Sequence, residues 1–297
     1  SLVPVVVYEA SIGRRLRVVL EMIKFEHTVF ALPFAFMGMM LAAEGWPRWS
    51  TVGWIVVAMV GARSAAMGFN RLADRRIDAE NPRTADRALP AGLVSPAFVS
   101  IFILASLALL VLAAWRLNPL ALKLSPLAVL VILGYSFTKR FTALSHMVLG
   151  LGLAGAPLGA WIAVRGDVPP APLALGGAVL LWVAGFDILY ALQDLEFDRE
   201  RGLHSIPAAL GIGPSLVVSA LLHLGMLVLL AWLPFLYPPG LGVWYSIALG
   251  GCAALLAYQH LVVRPGDLSR LDAAFFQANG FLALWLFGLT AVDLLVR

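Results

Sequence analysis

The feature that most constrains this chain is a series of apolar stretches, each near the thickness of a bilayer, recurring along all 297 residues. A helix rises about 1.5 Å per residue, so roughly 20 apolar residues cross about 30 Å of hydrocarbon. Lipid offers backbone N–H and C=O groups no partner, and an α-helix satisfies them within one segment. Nine spans are read, at 28–43, 51–69, 98–115, 120–138, 146–164, 172–192, 216–235, 243–263 and 272–293. The first is short and borrows the turn before it. Only 13% of the residues are charged, against about 25% in an ordinary soluble domain. These observations predict an all-α, polytopic membrane protein built as a single domain over residues 1–297, and they exclude a soluble fold.

Residues 12–26 read as a short amphipathic helix lying at the interface, with Arg14, Arg15, Arg17 and Lys24 set among Leu and Val. Fifteen of the 21 Lys and Arg residues fall on the side that holds the N-terminus. The other side has only Arg48, Arg116, Arg165 and Arg297, while Arg63 and Lys123 fall within spans. The positive-inside rule then puts the N-terminus in the cytoplasm and, after nine spans, the C-terminus outside. The net charge of +4 follows this topology and gives no reason to expect nucleic acid. Cys252 is the single cysteine, which excludes a disulfide and a cysteine-based metal site. The Val5–Val7 run is short, and basic residues follow it instead of preceding it, so no cleavable signal peptide is expected. Pro33, Pro157 and the glycines of 152–159 predict kinks or close helix contacts.

Two inside loops, 70–97 and 193–215, are the longest and the richest in acidic residues. They follow spans 2 and 6, which suggests two halves related by a weak internal repeat. In the first loop, Asn70, Asp74 and Asp78 are spaced by four, so a helix continuing span 2 puts them on one face. Stacked carboxylates repel and disfavour that helix by a few tenths of a kcal/mol. A cation between them removes the conflict, and oxygen ligands of this kind suit Mg²⁺ completed by substrate phosphate. In the second cluster, Asp187, Tyr190, Asp194 and Asp198 also share a helical face. Asp187 falls inside span 6, where an ionisable group is costly unless it is paired or faces a polar cavity.

A single acidic cluster beside Arg71, Arg75, Arg76 and Arg87 reads most simply as a solvated, ion-paired face. Two clusters of like spacing at the inside ends of two spans point instead to carboxylate pairs facing one another and gripping a polyanion through metal. Asp74, Asp78, Asp194 and Asp198 are the expected metal ligands. Lys139 and Arg140 stand at the inside end of span 4, with Arg71 and Arg83 near the first cluster, to meet the remaining phosphate oxygens. Arg63 lies two turns deeper than Asn70, placed either for the carboxylate of an organic substrate or as an internal partner for Asp187. Among His27, His146, His204, His223 and His260 no pair has metal-ligand spacing. A transporter coupled to protons or metal is the rival from another class, but the carboxylates gather at one membrane face and not at the midplane.

With these residues in view, the chain resembles the UbiA superfamily of intramembrane aromatic prenyltransferases over nearly its whole length. Asn70, Asp74 and Asp78 fit the first aspartate-rich motif, and the runs Asn81–Thr84 and Arg87–Gly92 fit its extension. Tyr190, Asp194 and Asp198 fit the second motif. Residues 23–28 and 202–207 are similar to bacterial quinone-pathway members, of either the 4-hydroxybenzoate or the futalosine-type menaquinone group. Gln193 departs from the lysine often found before the second motif, which shifts more of the cationic role to Lys139 and Arg140.

The resemblance implies nine helices around a central cavity with two cytoplasmic motif loops, in a bacterial plasma membrane. It implies Mg²⁺-dependent transfer of a polyprenyl group from its diphosphate to a small aromatic acid, 4-hydroxybenzoate or, alternatively, dihydroxynaphthoate. Asn70 and the four aspartates are then catalytic, while Arg63, Arg71, Lys139, Arg140, Tyr190 and Asp187 bind substrate. Prenylation of haem or chlorophyllide and phosphoribosyl transfer to a polyprenyl phosphate are family-level alternatives. No obligate protein partner is expected.

Overall fold

The computed structural model describes residues 11–23, 31–264, 268 and 277–296. Helix α1 (Ile12–Met22) precedes α2 (Leu32–Ala43), and α3 (Trp49–Glu80), α4 (Pro96–Leu117), α5 (Pro119–Thr138), α6 (Ser145–Arg165) and α7 (Pro170–Ala191) follow. A 3-10 turn at Leu192–Asp194 and two short helices, α8 (Leu195–Glu200) and α9 (Ile206–Leu210), lead into α10 (Ile212–Leu236), α11 (Val243–Val262) and α12 (Asn279–Leu295). Among the described residues, seven stretches are long and apolar enough to cross a membrane: α3, α4, α5, α6, α7 with its extension to Glu200, α10 and α11. Helices α2 and α12 are apolar but shorter, at 12 and 17 residues. Lys24, His27 and the beginnings of the first and ninth sequence spans lie outside the described residues.

The helix boundaries follow local chemistry. Pro96, Pro119 and Pro170 open α4, α5 and α7, where the missing N–H costs nothing. The side chains of Ser95 and Asn118 cap α4 and α5 by accepting from Phe98 and Ala121 N–H. Gly166 closes α6 in the left-handed region at φ 70°, a conformation that favours glycine.

The helices pack mainly as neighbours: α3 on α4, α6 on α7, α7 on α10, α2 on α6 and α11 on α12. The main core, centred on Trp182, Met37, Met226, Leu230 and Leu286, joins α2, α6, α7, α10, α11 and α12. A second cluster joins Val19 and Ile23 at α1 to Ala65, Val99 and Ile103 on α3 and α4, together with Leu89 and Val94 of the first loop. The apolar side of α1 is therefore packed against the bundle, while Arg14 and Arg17 are exposed.

Small residues do two different jobs here. A methyl group added to Gly38 would run into the Pro157 backbone, and one added to Gly150 into the Leu180 carbonyl, so α2–α6 and α6–α7 meet at backbone distance. Gly152, Gly155 and Gly159 have no such neighbour. They face a cavity of about 240 Å³ lined mainly by α3, α4, α5 and α6. The glycine run expected to make close contacts instead opens space along one side of α6, and Pro157 supplies the contact. The cavity wall runs from Val148 to Ala163 on α6, about 22 Å at a helical rise. It is lined by Ala58, Ala62 and Ala66 among many apolar groups, with Arg63, Ser125 and Tyr135 as polar exceptions.

Gly150→Ala should lower stability by about 1–3 kcal/mol through overpacking. Gly152→Ala, two residues away, should be neutral or raise it by up to about 1 kcal/mol through helix propensity. Thermal unfolding of the two variants in one detergent checks the contrast, and equal losses would remove close approach as the reason for Gly150.

Candidate active site

Helix α3 continues beyond its apolar part to Glu80, and this extension carries Asn70, Asp74 and Asp78 on one face, as their spacing predicts. Asn70 Nδ2 donates to Asp74 Oδ2 at 3.3 Å. Asp74 is only 2% exposed, and its charge is met from the end of α5. Lys139 Nζ stands 2.8 Å from Asp74 Oδ2. Arg140 Nη2 donates to Asp74 Oδ1 at 3.3 Å and to the Ala73 carbonyl at 2.8 Å. One turn on, Arg87 Nη1 donates to Asp78 Oδ1 at 2.7 Å, and Thr84 Oγ1 donates to the Asp78 carbonyl. Asp78 Oδ2 is buried with no hydrogen-bond partner among the described residues.

The second cluster departs from a regular helical face. Helix α7 ends at Ala191 and the chain tightens into the 3-10 turn at Leu192–Asp194 before α8 begins. The tighter winding re-aims Asp194 relative to Tyr190. Arg83 grips Asp194 with both arms, Nε to Oδ1 at 2.9 Å and Nη2 to Oδ2 at 2.5 Å, the bidentate geometry that suits guanidinium to carboxylate. Asn81 Nδ2 adds a bond to Asp194 Oδ1 at 3.3 Å. The same Arg83 reaches the Tyr190 hydroxyl at 3.5 Å and sits 5.7 Å from its ring centroid. Burial by itself would lower the Arg83 pKa, but the hydrogen bond and charge of Asp194 outweigh it and raise it. The two motifs are thus joined across the bundle end by the first loop, with Arg201 to Glu80 at 2.6 Å as a second, exposed bridge.

Asp198 lies on α8, at the end of the stretch from Pro170 to Glu200. Asp187 is met by His146, whose Nδ1 is 2.7 Å from Asp187 Oδ2. Arg63 faces the apolar cavity, alongside Tyr135. Arg71 lies in the field of Asp78, Asp74 and Arg87, with its Nε enclosed and without a hydrogen-bond partner among the described residues. The sequence pattern assigns no role to His146, and 41 residues separate it from Asp187. Its only signal is its place at the end of a span, six residues after Arg140.

Residues 31–286 match the family model described as the UbiA prenyltransferase family. A relative from Saccharophagus degradans named 4-hydroxybenzoate octaprenyltransferase is 34% identical over 239 residues, which cover 80% of this chain and 79% of the relative. The chain belongs to the UbiA prenyltransferase family. The apo structure of a UbiA homolog from Aeropyrum pernix superposes with a TM-score of 0.82 at 33% identity, covering 90% of this chain and 98% of that one. A UbiA homolog from Archaeoglobus fulgidus bound to GPP and Mg²⁺ shares the fold at a TM-score of 0.68 and 18% identity, covering 92% and 99% of the two chains. The protein is accordingly an integral membrane enzyme, an aromatic prenyltransferase of the UbiA fold.

UbiA enzymes are metal-dependent, so the fit of a divalent cation can be tested on the side chains. Among the described residues, no three His, Cys, Asp or Glu side chains converge closely enough to hold a metal as they stand. The carboxylates are held by cations of the protein itself, Lys139 and Arg140 on Asp74, Arg87 on Asp78 and Arg83 on Asp194. The donor chemistry nevertheless fits. All the acidic groups are oxygen donors suited to Mg²⁺, and the buried Asp78 Oδ2 lacks a hydrogen-bond partner among the described residues.

Proposed function

We propose that this enzyme transfers a polyprenyl group from a polyprenyl diphosphate to the ring of 4-hydroxybenzoate in quinone biosynthesis. The observation that carries the reading is a polar end, with both aspartate motifs and their cations, set directly over an apolar cavity that contains Arg63. Tyr135 on the cavity wall is four residues from Lys139, and Met67 is three from Asn70, so the polar end and the apolar chamber adjoin.

Asp74, Asp78, Asp194 and Asp198 would hold Mg²⁺, which when bound neutralises charge gathering on the leaving diphosphate. The donor's allylic C–O bond breaks with its electron pair leaving on diphosphate. The ring then supplies the pair for the new C–C bond and loses a proton. Lys139 and Arg140, released from Asp74, are placed to receive diphosphate oxygens, with Asn70 orienting them. Arg71 adds positive charge beside them. The apolar walls keep water from the allylic cation. Arg63 takes the acceptor carboxylate, and Tyr190 and Asp187 border the site from α7.

Within this reading the chain is one domain, residues 1–297, with nine spans, the cap loops 70–97 and 193–215 and the N-terminus in the cytoplasm, and the C-terminus outside. The name of the Saccharophagus relative supports 4-hydroxybenzoate, and the Archaeoglobus homolog, bound to GPP and Mg²⁺, supports a prenyl diphosphate held with that metal. Dihydroxynaphthoate, as the acceptor in menaquinone synthesis, also offers a carboxylate to Arg63 and is the second acceptor to assay.

Purified protein should convert GPP and 4-hydroxybenzoate to a prenylated product only with Mg²⁺. EDTA should abolish transfer, and Asp74→Asn should cut kcat at least about 100-fold. Diphosphate release without that product would retain prenyl transfer and move the acceptor to dihydroxynaphthoate. Neither release nor product, with longer donors included, would sink the reading.

Arg63→Lys keeps the charge but loses the paired donors. It should raise the KM for the acceptor roughly 10–100-fold, in line with a charged hydrogen bond, and leave the KM for the donor nearly unchanged. A change confined to the donor would place Arg63 elsewhere in the site.

A further inference from the structure

We propose that His146 is a positioning residue that clasps the second aspartate motif in place, linking Asp187 of α7 to the turn ahead of α9. The proposal rests on the prenyl-transfer reading above for its consequence, though not for its geometry.

His146 lies in the first turn of α6 and is 3% exposed. Its Nδ1 lies 2.7 Å from Asp187 Oδ2, and its Nε2 lies 3.3 Å from the backbone N–H of Ile206. A backbone N–H can only donate, so Nε2 must present its lone pair. The ring hydrogen then resides on Nδ1, which donates to Asp187. Both ring nitrogens are committed, one to a carboxylate on the α7 span and one to the cap.

The turn that His146 holds is tied to its surroundings at three residues. Leu203 N–H donates to the Asp198 carbonyl at 2.8 Å, and His204 N–H to the Lys139 carbonyl at 2.7 Å. Between them and α9, Ser205 caps the helix by accepting from Ala208 N–H at 3.2 Å. Ile206 N–H goes to His146. The turn thus touches Asp198 once and Lys139 once, and Lys139 in turn holds Asp74. Of the three outward ties, only the last is made to a side chain. The Ile206 N–H is one of the amide groups at the start of a helix that has no partner within it, so loss of the imidazole takes this partner from a part-buried donor as well as from the Asp187 carboxylate.

Partners one step removed from a metal site typically change its affinity 10–100-fold. His146→Ala should raise the Mg²⁺ concentration for half-maximal transfer about tenfold while kcat at saturating Mg²⁺ moves far less. Independently of activity, amide hydrogen exchange over residues 203–206 should accelerate in the metal-free protein. His146→Gln can place an amide oxygen near the position of Nε2 and should restore both exchange protection and the Mg²⁺ response. His146→Asn can still donate to Asp187 but falls short of Ile206, and should restore neither.

Exchange unchanged in His146→Ala, or His146→Gln no better than His146→Ala, would overturn the clasp. So would a loss confined to kcat. Should His146→Ala fail to fold, the Gln and Asn variants carry the same comparison. A parent enzyme showing no Mg²⁺-dependent transfer would sink the function reading alone, with exchange still deciding the clasp.

Discussion

Carboxylates gathered at the end of an apolar bundle cannot stand together without positive charge among them, and much of the cap is arranged around that constraint. Asp74 is almost fully enclosed and takes Lys139 and Arg140 from α5, while Asp78 takes Arg87 and Asp194 takes Arg83. Removing one member of such a pair leaves a charge that the surroundings cannot solvate. Asp74 and Asp194 take their cations from distant stretches of chain, while Arg87 folds back nine residues onto Asp78, so the ion pairs also bind α3, α5 and the two motif loops into one cap. On the reading proposed above, the same cations would receive the diphosphate, each exchanging one anion for another.

Below the cap, the packing depends on where side chains are missing. At Gly38 and Gly150 the helix backbones approach until no methyl group fits, which draws α2 and α7 against α6. One turn further along α6, glycine has the opposite effect, because its neighbours across the cavity do not close in. With Ala58, Ala62 and Ala66 opposite on α3, the small residues keep a channel open where larger ones would fill it. In lipid there is little hydrophobic drive to close such a space between helices, so composition along each helix face decides between contact and cavity.

The spans and the first motif are legible in the sequence because each is a local pattern. A four-residue spacing of Asn70, Asp74 and Asp78 needs only a continuous helix, and α3 supplies one to Glu80. The second motif is legible in its residues but not in its shape, since nothing in Leu192–Asp194 announces a tighter turn. The glycines of 152–159 can be recognised as special without showing whether they will meet a helix or a void. Long-range pairings are the least accessible. Arg83 and Asp194 are 111 residues apart, and His146 and Asp187 are 41 apart. Neither pair has a spacing rule, because the fold and not the local chain brings them together. The sequence offers Arg63 as one partner for Asp187 and gives no sign of His146, which lies 2.7 Å from that carboxylate.

That pairing bears on how the site can work. His146 closes on Asp187 with one ring nitrogen and on the Ile206 amide with the other, so a carboxylate within α7 is tied to the turn ahead of α9. Arg63 lies on the wall of the apolar cavity with Ser125 and Tyr135. On the reading proposed above, the two anionic parts of the reaction would then sit apart, diphosphate at the cap and carboxylate toward Arg63, and an allylic cation formed between them would face apolar walls rather than water.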